Sequence, residues 1–263
     1  MCFDTDSTPP IPVLSGAAAS HDSVVLTAAD GNEFAAFAAE PDEPSTVGVV
    51  ILPDVRGLYR FYEELALRFA ERGTAAVAFD YFGRTAGVAK RGDDFEYMEH
   101  VSQTTPEGVQ ADVAAAVEFL RERGCRAVLT VGFCFGGRHS WLSAAGGHGL
   151  AGAVGFYGRP GPGSDGSPGP AQRANELAAP ILALQGGADA HITAEDNAAF
   201  EEALGRAGVE HELVSYEGAP HSFFDRRQED FAAASEDAWR RVLEFIGRHA
   251  GEATAAPSPY PPG

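Results

Sequence analysis

Apolar and polar positions along this chain switch repeatedly between two periods. Nearly unbroken apolar runs stand at 47–52, 75–79, 127–131 and 181–184. Each is short and bounded by Gly, Pro or polar residues, the pattern of a strand covered on both faces. Further strand patterns occur at 154–157 and 211–216. Between them the spacing becomes helical. Phe61, Leu65 and Phe69 share one face of 61–72, which Gly73 stops. Val109, Val113, Val117 and Leu120 share one face of 106–124. Helices are also predicted at 194–205 and at 229–249, the latter burying Phe231, Trp239, Val242, Leu243 and Ile246. Near the start, 24–27 and 33–37 flank Asp30-Gly31-Asn32, a hairpin signal. Strands alternating with helices after a hairpin predict an α/β fold with a mostly parallel sheet between helices. One domain is expected over 21–250, with an irregular arm at 1–20 and a disordered Ala/Pro-rich tail at 251–263. The polar stretch 84–105 reads as a cap or lid loop, and the Gly/Pro-rich 158–170 as a surface loop.

Composition narrows the function. The chain has 263 residues, 44% of them hydrophobic, enough for a sizeable soluble core. Its formal charge of -19 argues against nucleic acid or an anionic membrane as partner. The three cysteines, Cys2, Cys125 and Cys134, form no disulfide framework, which points to the reducing cytoplasm. Cys125 reads as a packing residue and Cys2 is unexplained. No signal-peptide pattern and no membrane-length apolar stretch is visible. No His/Cys cluster has zinc-site spacing, and no Gly-x-Gly-x-x-Gly follows a strand, so neither a metal nor a dinucleotide is expected.

Chemistry concentrates where predicted strands end. Gly132-Phe133-Cys134-Phe135-Gly136 closes the run at 127–131. Gly-x-nucleophile-x-Gly between a strand and a helix is the nucleophile elbow of α/β-hydrolases, here with Cys in place of the usual Ser. The thiol of Cys134 would stand at a helix N-terminus, where the dipole favours a thiolate. Gly186-Gly187-Ala188-Asp189 follows the strand at 181–184, and Gly218-Ala219-Pro220-His221 follows that at 211–216. Nucleophile, acid, base is the chain order of an α/β-hydrolase triad. His221 is the best placed of the eight histidines. His191 is its main competitor, while His139, His148 and His211 are expected on element surfaces. Asp189 would hold the imidazole tautomer. The oxyanion donors expected are the N–H of Phe135 and that of Val55, in the turn at 52–58.

These residues together resemble the dienelactone hydrolase family over roughly 24–250. The resemblance rests on Gly-Phe-Cys-Phe-Gly-Gly, Gly-Gly-Ala-Asp, Gly-Ala-Pro-His-Ser-Phe, the turn at 53–58 and Phe156-Tyr157-Gly158. It implies an α/β-hydrolase core of about eight strands, hydrolysis of a lactone or enol ester through an acyl-thiol intermediate, and no cofactor. It implies a small-molecule lactone or ester as the partner, and a monomer or small homo-oligomer is expected. Where the family has a thiol-activating Glu, this chain has Asp54. Arg84 matches the first of the family's two carboxylate-binding arginines. The second position holds Asp225, with Arg226 one residue further on. Arg56 and Tyr157 are further substrate-binding candidates. The acid at 225 leaves open a general esterase or thioesterase for neutral acyl groups. A non-catalytic binding protein on the same scaffold is the alternative from another class.

Overall fold

The computed structural model describes residues 7–15, 19–89, 91, 92, 94–163, 165–224 and 230–255. Eight strands form one sheet in the order β1-β2-β4-β3-β5-β6-β7-β8. They are β1 (Ala19–Thr27), β2 (Glu33–Pro41), β3 (Val47–Leu52), β4 (Ala75–Phe79), β5 (Ala127–Phe133), β6 (Gly152–Phe156), β7 (Ile181–Gly186) and β8 (His211–Tyr216). β2 runs antiparallel to both β1 and β4, and every other neighbouring pair is parallel. This is the α/β-hydrolase-like architecture expected, with its N-terminal hairpin.

Strand direction explains the residue choice. β3, β4, β5, β6 and β7 are buried almost throughout, as parallel strands covered on both faces must be. The outer strands β1 and β8 carry exposed or half-buried positions. α1 (Arg60–Ala70) and α7 (Ala232–Ala255) lie on one face, α4 (Pro106–Glu122), α5 (Phe135–Ser143) and α6 (Ala194–Ala207) on the other. Two helix starts are fixed by side chains. Thr105 accepts the Gly108 N–H ahead of Pro106, and Thr193 with Asp196 forms a reciprocal capping box.

Several expected boundaries move. The hairpin strands are longer than the sequence pattern, because backbone pairing continues past the alternating residues to Ala19 and Pro41. The segment 84–105 is not wholly irregular: α2 (Gly83–Ala86) and α3 (Tyr97–Val101) occupy parts of it. α7 continues to Ala255, into the stretch expected to be disordered. The N-terminal arm has no regular element between 7 and 15, yet it is anchored: Ile11 is buried in the main core, and Arg72 donates to the Pro12 carbonyl.

The topology fixes where the chemistry stands. Successive strands go to opposite sides of β3, so β3 and β5 flank the point where strand order reverses. Open α/β sheets bind ligands in the crevice above such a point, at the carboxyl ends of the strands. Leu52 of β3 pairs in register with Gly132 of β5, which brings the turn after β3 beside the elbow after β5.

Candidate active site

The elbow depends on the lack of side chains at two positions. A Cβ on Gly132 would lie 2.0 Å from the Gly136 carbonyl oxygen. One on Gly136 would lie 2.1 Å and 2.2 Å from the carbonyl oxygens of Leu52 and Pro53. Strand, helix and the end of β3 therefore meet with backbone against backbone. Between the glycines, Cys134 is held at φ 54° and ψ -110°, outside the basins L-residues prefer. Such a conformation costs on the order of 1–3 kcal/mol. Its N–H bonds the Phe156 carbonyl at 3.0 Å, which ties the elbow to β6. The thiol is partly exposed at the start of α5.

The other positive-φ non-glycine residues among those described are Tyr157 and Ser222. One follows β6 next to the elbow and the other follows His221. All three strained backbones thus gather at one end of the sheet, where strain most often serves function.

The acid and the imidazole meet directly. His221 Nδ1 lies 2.6 Å from Asp189 Oδ2, so Nδ1–H donates to the carboxylate and Nε2 is left as the proton acceptor. The other carboxylate oxygen, Oδ1, accepts the N–H groups of His191 and Ile192. Burial works to raise the Asp189 pKa. The bonds from His221 and the two amides outweigh it, and the carboxyl sits below its ordinary value. The turn carrying Asp189 lies on the loop carrying His221: Gly187 N–H bonds the Tyr216 carbonyl and Ala188 N–H that of Ala219. Tyr157 is wholly buried, with its ring centroid 4.9 Å from that of His221. Its ring packs against the imidazole. His191, the sequence competitor, is exposed, and its ring meets that of His221 edge-on at 6.2 Å. His139 is not on a surface: it is buried against Phe135, and burial with Arg138 nearby lowers its pKa to about 3. The sequence missed this because the elbow helix is buried almost all round.

The turn after β3 is built from polar bonds. Gly57 N–H donates to the Asp54 carbonyl, and Arg56 N–H to Asp54 Oδ1. Asp54 is wholly buried, with Arg56 Nη2 3.4 Å from its carboxylate. Neither the Val55 N–H nor the Phe135 N–H has a hydrogen-bond partner among the described residues. They are the two amides expected to serve an oxyanion.

The described candidate arginines each face a carboxylate. Arg84 bonds Asp112 through Nη1 at 2.7 Å and Asp30 through Nη2 at 2.8 Å, in a cluster completed by Asn32. Arg56 faces Asp54 and stacks over Tyr59. Arg91, which the sequence reading missed, forms a buried pair with Asp80 at 2.9 Å and ties the 84–105 segment to the end of β4. Nothing in the spacing of that polar segment marks Arg91 out. Asp225, Arg226 and Cys2 lie outside the described residues.

Among the described residues, no group of three or more His, Cys, Asp or Glu side chains could hold a metal ion, and no helix is long and apolar enough to cross a membrane.

Comparison with known proteins agrees with this geometry. The family model described as "Dienelactone hydrolase family" matches residues 34–250. A protein of Escherichia coli K12 named "Putative carboxymethylenebutenolidase" is 31% identical, over 84% of this chain and 85% of its own. The Rhodococcus opacus carboxymethylenebutenolidase is 29% identical over 95% of this chain and 97% of its own. The crystal structure of a "Putative Dienelactone Hydrolase" from Klebsiella pneumoniae superposes with a TM-score of 0.77 at 26% identity, covering 88% of this chain and 99% of that one. Fold and matches together support, in general terms, a hydrolase acting on esters or lactones, and the chain belongs to the dienelactone hydrolase family.

Proposed function

We propose that the protein hydrolyses a lactone or ester through a thioester acyl-enzyme on Cys134. The observation that carries this reading is the strained, partly exposed Cys134 at a helix start, at the same end of the sheet as a His221–Asp189 pair with Nδ1 committed to the acid. In the proposed cycle the Cys134 thiol gives its proton to His221 Nε2, and the resulting thiolate attacks the carbonyl carbon. A C–S bond forms and the carbonyl π electrons move to oxygen, where the amides of Phe135 and Val55 receive the charge. The C–O bond to the leaving group then breaks, and protonated His221 gives the departing oxygen its proton. Water attacks the thioester as His221 Nε2 takes its proton, and the thiolate leaves. Asp189 holds the imidazole orientation and stabilises the imidazolium. Asp54, wholly buried in the turn that carries Val55, is the other proposed acceptor of the thiol proton, which it would release through solvent to His221 before the leaving group departs.

A specific observation favours neutral acyl substrates over carboxylated ones. Arg56, Arg84 and Arg91, in the segments that follow β3 and β4, each face a buried carboxylate. With a formal charge of -19 the whole chain also repels anions. Steady-state hydrolysis of a carboxylated dienelactone, its uncarboxylated analogue and p-nitrophenyl acetate tests both readings. The expectation is higher kcat/KM on the neutral substrates and none with Cys134→Ala. Unchanged turnover in Cys134→Ala removes the mechanism; a strong preference for the carboxylated lactone removes the neutral-substrate reading.

A further inference from the structure

One peptide group in the turn after β3 is held on both sides by tyrosine hydroxyls. The Pro53 carbonyl accepts the Tyr81 O–H at 2.7 Å, and the Asp54 N–H donates to the Tyr62 hydroxyl at 2.9 Å. Those two groups belong to the same planar unit, the Pro53–Asp54 peptide. The tyrosines reach it from different elements, Tyr62 from α1 and Tyr81 from the residues just after β4. Both are buried.

Their rings touch the other half of the site. The Tyr81 ring meets Phe135 edge-on with centroids 5.1 Å apart. The Tyr62 ring lies 5.5 Å from Phe133. Phe133 and Phe135 are the residues immediately before and after Cys134. Each tyrosine thus has its hydroxyl on the turn and its ring on the elbow. The braced peptide is also in contact with the elbow, since the Pro53 carbonyl oxygen is one of the atoms a Gly136 Cβ would strike. The next amide along the turn is that of Val55.

We infer that Tyr62 and Tyr81 are positioning residues for the oxyanion hole, cross-bracing the Val55 amide against the Phe135 amide. The inference rests on the Cys134 reading above. The physical need is plain. The two donors sit on separate elements, and an oxyanion hole works only if both are fixed before charge develops. Sheet pairing fixes Leu52 against Gly132 but ends there. With the Pro53–Asp54 plane held, the Asp54 side-chain bond to Arg56 N–H and the Gly57 N–H bond to the Asp54 carbonyl fix the rest of the turn. The Tyr81 hydroxyl keeps its proton and so remains a donor: burial, then the charges of Asp54, Asp80 and Cys134, raise its pKa well above the ordinary value.

The test separates oxyanion stabilisation from general packing. Tyr81→Phe and Tyr62→Phe each remove one bond and keep the ring. Tyr59→Phe is the control, because it removes a hydroxyl that donates to the Gly92 carbonyl. Three quantities are measured: hydrolysis of p-nitrophenyl acetate, inhibition by an aryl trifluoromethyl ketone, and alkylation of Cys134 by iodoacetamide. The ketone adds the thiolate and leaves a negative oxygen in the hole. Iodoacetamide alkylation forms the C–S bond by displacing iodide and needs no oxyanion. In either tyrosine variant kcat is expected to fall about 10-fold or more with KM within about twofold, because a small misplacement of a catalytic group is costly. Ketone affinity should weaken by a similar factor, while the alkylation rate stays within about twofold and Tyr59→Phe behaves as wild type. Unchanged kcat and ketone affinity overturn the inference, and so does a parallel loss in alkylation, which would mean general loosening of the core. If one variant fails to fold, the other decides by the same criteria. Activity surviving in Cys134→Ala would instead overturn the nucleophile reading; an inactive Cys134→Ala beside unaffected tyrosine variants would remove only the brace.

Discussion

The elbow and the turn after β3 supply the two halves of the same proposed hole, yet they are held in opposite ways. The elbow is shaped by absence. Gly132 and Gly136 let backbone meet backbone, and no side-chain hydrogen bond caps the helix at Cys134. The turn is shaped by polar bonds from Tyr62, Tyr81 and the Asp54 side chain. Steric exclusion tolerates no addition, whereas a hydrogen-bonded turn loses its parts one at a time. The contrast predicts all-or-none behaviour on one side of the site and graded behaviour on the other.

The largest effect should come from filling the elbow. Gly136→Ala places a methyl against two fixed carbonyls, so stability should drop by about 3 kcal/mol, at the upper end of overpacking costs. Hydrolysis should vanish with it; a urea melt and an activity assay check both. Next is the acid behind the base. Asp189→Asn should cut kcat by roughly a thousandfold or more, since the imidazole loses its preferred tautomer. Circular dichroism should remain native. The two Tyr→Phe changes belong after these, at about 10-fold each.

Arg84 marks the boundary of the site. Asp112 carries a raised pKa: burial raises it, and the bonds from Arg84 and Asn32 only partly offset this. In Arg84→Ala the folded-state pKa of Asp112 should rise further, leaving an ionised carboxylate buried with Asn32 alone. A raised folded pKa means that protonation favours the fold. The variant's stability deficit should therefore be greatest near neutral pH and shrink as pH falls toward about 4, the unfolded carboxylate value. Denaturant melts across that range check the sign. A selective rise in KM for the carboxylated lactone in the same variant would mean that Arg84 leaves its acids to meet substrate. The mildest expectation concerns the other described thiol. Burial, then Glu40, raises Cys125 to about 11, so its thiolate fraction near neutral pH should be about 100-fold below that of an ordinary cysteine. Mass spectrometry after brief iodoacetamide treatment should find Cys134 modified well before Cys125.

The sequence was most readable where backbone geometry restricts residue type. Gly132, Gly136, Gly186 and Gly187 stand at close approaches, and they made the elbow and the acid turn visible with no structure in hand. Buried parallel strands were visible because few polar side chains fit in them, Thr130 and Gln185 being the buried exceptions in β5 and β7. What stayed hidden was set by long-range contact. Nothing in the pattern marks Tyr62 or Tyr81, since only the fold brings their hydroxyls to one peptide. His139 looked like a surface residue because its helix is covered on nearly every side. The short helices in 84–105 have too few residues for a period to show. Arg84 follows β4 closely in the chain, but its acids, Asp30 and Asp112, come from a hairpin turn and a helix distant in sequence.

The most direct measurement is intact-protein and peptide mass spectrometry after rapid mixing with p-nitrophenyl butyrate and an acid quench. A transient butyryl adduct is expected on the peptide that contains Cys134, absent from Cys134→Ala and prolonged when His221 is replaced by Gln. Turnover with no adduct, or an adduct on a different residue, would contradict the Cys134 mechanism.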